Sequence, residues 1–177
     1  MVYTCTYPSP LGNILLAADE VGLTGLWFEG QKYFGNTLPK ETVSQEIPVL
    51  IRAKKWLDVY FSGKEPDFTP ALHPAGLTFR QAVWQILLQI PYGQTMTYGE
   101  IAKKMTQMHD APHMSAQAVG GAVGHNEISV IIPCHRVVGT NGSLTGYAGG
   151  MEKKVALLKL EHTDMSGFFV PKKGTAL

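Results

Sequence analysis

The hydrophobic period of this chain changes at Phe79, and that change restricts the fold more than any other feature of its 177 residues. Before it, Tyr3-Thr4-Cys5-Thr6-Tyr7 alternates large side chains with threonines, and two short apolar runs, Ile14 to Ala18 and Leu23 to Phe28, flank Asp19-Glu20-Val21-Gly22. Alternation broken by turn residues predicts strands, and an antiparallel sheet is their natural product. A helix is expected from Pro48 to Phe61, stopped by Ser62-Gly63. The Pro-, His- and Gly-bearing stretch from Glu65 to Gly76 reads as a linker.

From Phe79 the repeat is helical. Phe79, Val83, Ile86, Leu87 and Ile90 share one face, Arg80, Gln81, Gln85 and Gln89 lie away from it, and Pro91-Tyr92-Gly93 ends the run. Thr97 with Glu100 three residues on is a capping box, so Tyr98 becomes a first-turn residue of a helix whose inner stripe is Ile101, Ala102 and Met105. A polar segment with Asp110-Ala111-Pro112 then leads to Ser115, a cap for a short helix from Ala116 to Gly124 built almost wholly of small residues. Helix, turn and short helix is the order of a helix-turn-helix; a tight internal helix crossing explains the same composition. An apolar run from Glu127 to Ile132 closes at Pro133, and Cys134-His135-Arg136-Val137-Val138 follows. A glycine-studded loop from Gly139 to Gly150 precedes a helix from Met151 to about His162, and the tail from Phe168 to Leu177 reads as peripheral.

Composition narrows the class. With 45% hydrophobic and 16% charged residues the chain reads as globular. No run approaches the roughly 20 apolar residues of a membrane span, and no basic leader opens the sequence, so a cytoplasmic location is expected. Two cysteines, Cys5 and Cys134, do not make a disulfide framework, and the six histidines show no metal-ligand spacing with either, which sets zinc aside. Residues 1 to 78 hold six Lys/Arg against eight Asp/Glu and residues 79 to 177 hold nine against six, so any polyanion contact belongs to the second half.

The chemistry gathers around Cys134. Proline before it, histidine and arginine after it, form a positive setting in which a thiolate can arise, although a Cys-His neighbourhood is also common in purely structural roles. Glu161 is a second, independent sign. At about 100° per residue, Leu157, Leu158 and Glu161 fall at about 300°, 40° and 340° from Lys154, which puts a carboxylate in the middle of an apolar face. A buried carboxylate needs a partner. His135 would complete a Cys-His-Glu relay that draws the proton from Cys134, directly or through water; a glutamate bonding a backbone amide at a helix end is the other reading.

These residues fit a larger pattern. Ile132-Pro133-Cys134-His135-Arg136-Val137-Val138, Gly146-Tyr147-Ala148-Gly149-Gly150, Lys153 and Leu157-Leu158-Lys159-Leu160-Glu161 resemble the methylated-DNA-protein cysteine methyltransferases, also called O6-alkylguanine-DNA alkyltransferases. The likeness runs upstream through Phe79, Val83-Trp84, Leu87, Ile90-Pro91-Tyr92-Gly93, Tyr98-Gly99-Glu100-Ile101-Ala102, Ala118-Val119-Gly120 and Asn126, and reaches Ser9-Pro10-Leu11-Gly12 and Gly22-Leu23 in the first lobe.

The resemblance implies a small α/β amino-terminal domain with an antiparallel sheet (1–76, with its linker) and a mostly helical DNA-binding domain with a helix-turn-helix (77–177). It implies direct repair of O6-methylguanine and, less readily, O4-methylthymine, in double- and single-stranded DNA, by single-turnover transfer of the alkyl group to Cys134. No cofactor, metal, membrane or obligate protein partner is implied. His135 would be the base and Glu161 its orienting carboxylate. Asn126 would brace the turn, and Tyr98 would bond the purine. Tyr147, Ala148 and Gly149 would wall the base pocket, and Ser115, Gln117, Ala118 and Arg136 would meet DNA or the base. Gln117 stands where the family usually has an inserted arginine, and Glu127, in place of proline after Asn126, adds negative charge; both departures bear on DNA affinity. The segment Met105 to Met114 is longer than usual. A cysteine hydrolase would share the Cys-His-Glu set but turn over, whereas a non-catalytic lesion binder would lack the cysteine.

Overall fold

The computed structural model describes residues 1–109 and 115–171. The chain forms two compact units, Met1–Ala75 with Glu127–Ile131, and Gly76–Asn126 with Ile132–Leu177. Asp110-Ala111-Pro112 and the end of the tail lie outside the described residues.

The first unit holds a four-stranded sheet in the order β3-β2-β1-β4, formed by β1 (Tyr3–Ser9), β2 (Gly12–Ala18), β3 (Leu23–Phe28) and β4 (Val43–Ser44). The first three strands pair antiparallel, as their alternation requires, but β4 joins β1 in parallel through Tyr3 with Val43 and Thr4 with Ser44. The sheet is therefore mixed, not purely antiparallel; a two-residue strand has too few positions to show a period. Helix α1 (Pro48–Phe61) starts with Pro48 in its first turn and buries Leu50, Ala53, Trp56, Leu57 and Tyr60, a helical stripe that packs on the sheet.

Two stretches in this unit depart from expectation. The presumed linker is pinned to β3: Leu23 N–H donates to the Ala71 carbonyl and His73 N–H to that of Leu23, each at 2.7 Å. Local composition signals a turn-rich segment but says nothing of a distant strand edge with open hydrogen-bonding groups. The segment Glu127–Ile131 also pairs beside β3, through Leu26 N–H to Glu127 O at 2.9 Å and Ser129 N–H to Leu26 O at 3.0 Å. Glu127 is 5% exposed, so its carboxylate is buried in this unit and adds no charge to a surface.

The second unit is mostly helical. Its elements are α2 (Thr78–Leu88), α3 (Tyr98–His109), α4 (Ala116–Gly124) and α5 (Met151–Leu160), with β5 (Met96–Thr97) and β6 (Val137–Val138) paired in parallel. Helices α3 and α4 pack together in helix-turn-helix order, and α2 packs on both. Trp84 supplements the apolar face of α2 by donating from Nε1 to the Ala122 carbonyl of α4 at 3.0 Å. Both readings of α4 hold on different turns: Val119, Gly120, Ala122 and Val123 are buried in the crossing, while Ser115 to Ala118 are exposed. Thr97 Oγ1 accepts from Glu100 N–H at 3.1 Å and Ser115 Oγ from Ala118 N–H at 3.0 Å, so both caps form.

The start of the tail is integral. Phe168 packs on the cluster of Val138, Leu144 and Leu158, and Leu144 N–H donates to Phe169 O at 2.8 Å. Gly142, at φ +88°, is required there, since a Cβ would lie 2.1 Å from the Gly167 carbonyl oxygen. No helix among the described residues is long and apolar enough to cross a membrane.

Candidate active site

Pro133 ends the run from unit one, and the chain tightens into a short helical turn, Cys134–Arg136, before β6. Cys134 N–H donates to Ile132 O at 2.8 Å, and the side-chain amide of Asn126 donates to that same carbonyl at 2.7 Å. Asn126 and Cys134 thus share one backbone acceptor just before the short helical turn. Glu161 arrives from the end of α5, where it follows Leu160 as the cap residue, and is 1% exposed.

The carboxylate binds through both oxygens. Oε2 lies 2.5 Å from His135 Nε2, and Oε1 accepts from Arg136 Nε at 2.7 Å, with Gly93 N–H more distant at 3.4 Å. The Pro91-Tyr92-Gly93 turn closes beside it, and Gly93, at φ +79°, would bring a Cβ to 3.1 Å from the Glu161 carbonyl oxygen. Burial by itself would raise the Glu161 pKa, but the hydrogen bonds and charges of His135 and Arg136 outweigh it and hold the group at about 2. Glu161 is an anion throughout the neutral range.

His135 is fully buried, and burial pulls its pKa down; Glu161 opposes this, while the Arg136 and Lys154 charges reinforce it. The ring is neutral at pH 7 and able to accept a proton. Nε2 is the ring nitrogen engaged with Glu161, and that bond fixes the orientation of the imidazole. Burial raises the Cys134 thiol pKa, while a hydrogen bond with Asn126, the Lys154 charge and backbone hydrogen bonds draw it down. A thiol that is protonated at neutral pH, beside a neutral buried imidazole held by a carboxylate, is an arrangement for base-assisted nucleophilic attack.

Lys154 is the residue sequence reasoning missed. It is 0% exposed, and its ammonium donates to the carbonyls of Val137 at 2.6 Å, Thr145 at 2.9 Å and Gly146 at 3.1 Å. Burial lowers its pKa to about 8 against the attraction of Cys134. The signal was present, because Lys154 shares a helical phase with Glu161, Leu157 and Leu158 and so had to face inward with them. Tyr98 donates from its hydroxyl to the same Thr145 carbonyl at 3.2 Å, and burial followed by the nearby Cys134 pushes its pKa up to about 12. It remains a hydrogen-bond donor at any physiological pH.

The chain is similar to known proteins over nearly its whole length. Residues 1–74 match the family model described as the 6-O-methylguanine DNA methyltransferase, ribonuclease-like domain, and residues 78–163 match that of its DNA binding domain. A methylated-DNA-protein-cysteine methyltransferase of Haemophilus influenzae is 42% identical over 161 residues, covering 90% of this chain and 86% of the relative. That of Methanosarcina acetivorans is 44% identical, with 90% and 98% covered. The crystal structure of Mycobacterium tuberculosis OGT in complex with DNA superposes with a TM-score of 0.77 at 41% identity, covering 90% of this chain and 92% of that one. The chain belongs to the methylated-DNA-protein cysteine methyltransferase family.

Within this methyltransferase frame the remaining candidate residues fall into three settings. Tyr147 is 9% exposed, its ring meets that of His135 edge-on at 6.5 Å, and it packs so closely on Gly149 that a Cβ there would lie 2.8 Å from the ring. Ala148 and Gly149 are half-buried in the turn that Gly150 N–H closes on Tyr147 O at 2.9 Å. Ser115, Gln117 and Ala118 sit together on the exposed first turn of α4. Arg136 stands apart from the DNA-facing role expected of it. It is 8% exposed, and its guanidinium is spent inside the unit on Glu161 and, from an Nη atom, on the Ile90 carbonyl at 2.7 Å. An arginine directly after Cys134-His135 reads in sequence as a contact to DNA or the base; in the fold a buried carboxylate two elements away holds it.

Proposed function

We propose that Cys134 Sγ receives the alkyl group in direct, stoichiometric repair of alkylated DNA. The family makes this chain a methyltransferase that acts once per molecule, since a thioether has no route back to thiol. The observation that carries the residue assignment is the coupled pair of bonds that Glu161 makes to His135 and Arg136 next to a buried thiol.

In the proposed reaction the damaged guanine leaves the base stack and enters beside Tyr147, Ala148 and Gly149. His135 Nδ1 takes the thiol proton, directly or through water, and Glu161 stabilises the imidazolium that forms. Sγ attacks the alkyl carbon as the O6–carbon bond breaks, so the electron pair passes to the guanine. The Tyr98 hydroxyl turns from the Thr145 carbonyl to donate to the purine and eases the departure of that charge. O4-methylthymine presents the same alkyl–oxygen bond and reacts by the same steps more slowly. Duplex DNA is the main partner, gripped through the exposed first turn of α4, and single strands also serve. The reaction needs no cofactor and no obligate protein partner, and the expected setting is the cytoplasm.

Incubation with an oligonucleotide carrying O6-methylguanine should raise the intact mass by about 14 Da, one methyl replacing one proton, with the label on Cys134 after peptide mapping. Label on Cys5, no mass gain, or more than one event per molecule, as a cysteine hydrolase gives, would overturn the assignment.

A further inference from the structure

The transfer steps assign no part to the guanidinium of Arg136. Arg136 lies in the turn that carries Cys134 and His135, yet its guanidinium reaches two other elements: Nε to Glu161 Oε1 after α5, and an Nη to the Ile90 carbonyl just beyond α2, both at 2.7 Å. Its Cζ also lies over the Tyr92 ring, 5.9 Å from the centroid. Two bonds at fixed angles define a plane, which one ammonium point charge cannot do.

We propose that Arg136 is a positioning residue for alkyl transfer: by locking Glu161 Oε1, it dictates that Oε2 meets His135 Nε2 and leaves Nδ1 for the proton of Cys134. This rests on the relay described above. A carboxylate with one buried oxygen loosely held can rotate about its last bond, and either oxygen can then meet either ring nitrogen. Gly93 N–H, at 3.4 Å, is too distant to prevent this by itself. Among the described residues, Glu161, Arg136 and Lys154 act electrostatically on His135, and His135 and Arg136 act on Glu161. Arg136 therefore touches the carboxylate while opposing protonation of the ring.

Charge and geometry can be separated. Arg136→Lys keeps the charge and loses the fork; transfer should slow about 10- to 100-fold at every pH, because misplacement of a reacting group by an ångström costs that much. Arg136→Gln removes the charge as well. Without that repulsion His135 protonates more readily, so the acid limb of the rate profile should move to higher pH, with a greater loss at pH 6 than at pH 8. Nitrogen NMR on histidine-labelled protein should find His135 as one tautomer, Nε2–H, in the parent and as a mixture in both variants. This arm also reads Arg136 if the parent itself fails to transfer, which would refute only the proposed reaction. Binding to unmodified duplex should keep its salt dependence in both variants. A parent-like tautomer and rate profile in folded Arg136→Lys and Arg136→Gln would overturn the proposal, as would a reduced salt slope with unaltered chemistry, which assigns a DNA contact. Loss of the fold in both variants would assign Arg136 to the framework alone and overturn it equally.

Discussion

The network around Glu161 and the first turn of α4 belong to the same compact unit, yet they are built by opposite rules. His135, Lys154 and Glu161 are 0 to 1% exposed, and each is hydrogen-bonded to a group far away in sequence. Ser115, Ala116, Gln117 and Ala118 are exposed, and what orders them is a cap three residues long. In the first region a charge removed from water must be matched by partners in place before the reaction, which leaves little tolerance for substitution. In the second, water solvates whatever the partner leaves uncovered, so an arginine can give way to Gln117 without disturbing the fold.

The difference is broken most directly from inside. His135→Ala and Glu161→Gln should each slow transfer by about 10²- to 10⁴-fold, His135 at least as severely, because general-base assistance is worth that much and the carboxylate acts through the ring. Single-turnover rates at neutral pH, with circular dichroism on each protein, check this; parent-like rates in folded variants would refute the relay. Glu161 should also leave a trace in acid. Its folded pKa of about 2 lies below the ordinary 4.5, so its contribution to stability is complete above about 4.5 and fades as pH falls towards 2. Glu161→Gln should flatten that part of the stability profile.

Lys154→Met should have an intermediate effect and sharpen the contrast. It removes the donor shared by the Val137, Thr145 and Gly146 carbonyls, of which Thr145 keeps the Tyr98 hydroxyl; each carbonyl left unsatisfied costs about 1 to 3 kcal/mol, so the melting temperature should drop by several degrees. With the parent's lysine at about 8, deprotonation above that pH withdraws the positive charge that favours the Cys134 thiolate. The parent rate should therefore show a decline near pH 8 that the methionine variant lacks. An identical alkaline limb in both proteins would locate its origin elsewhere.

The smallest effects belong to the exposed turn. Gln117→Ala should leave stability unchanged and slow repair in duplex more than in single strands, because only a duplex has a gap to fill when a base is turned out. Gln117→Arg should tighten binding at low salt and steepen its salt dependence by about 0.9 if the guanidinium gains one phosphate. Equal proportional losses of the alanine variant on both substrates, or none on either, would remove Gln117 from the duplex interface.

What was legible in the sequence was whatever repeats locally. Alternation in β1, the apolar stripes of α1 and α2, the Thr97 and Ser115 caps and the inward phase of Glu161 all depend on spacing within one element, which the backbone geometry of helix and strand converts into a face. Distant pairings left no such mark. The parallel edge strand β4, the hold of Leu23 on Ala71 and His73, the burial of Glu127 beside β3, and the pairing of Phe169 with Gly142 and Leu144 each join short segments through backbone groups that every residue carries. The same division runs through the site. Sequence singled out Cys134, His135 and Glu161 as a chemical set, but only tertiary structure joined Arg136 to Glu161 and brought Lys154 onto three carbonyls. The partner of a buried charge is whichever group the packing leaves within about 3 Å, and that is a property of the folded chain and not of its neighbours in sequence.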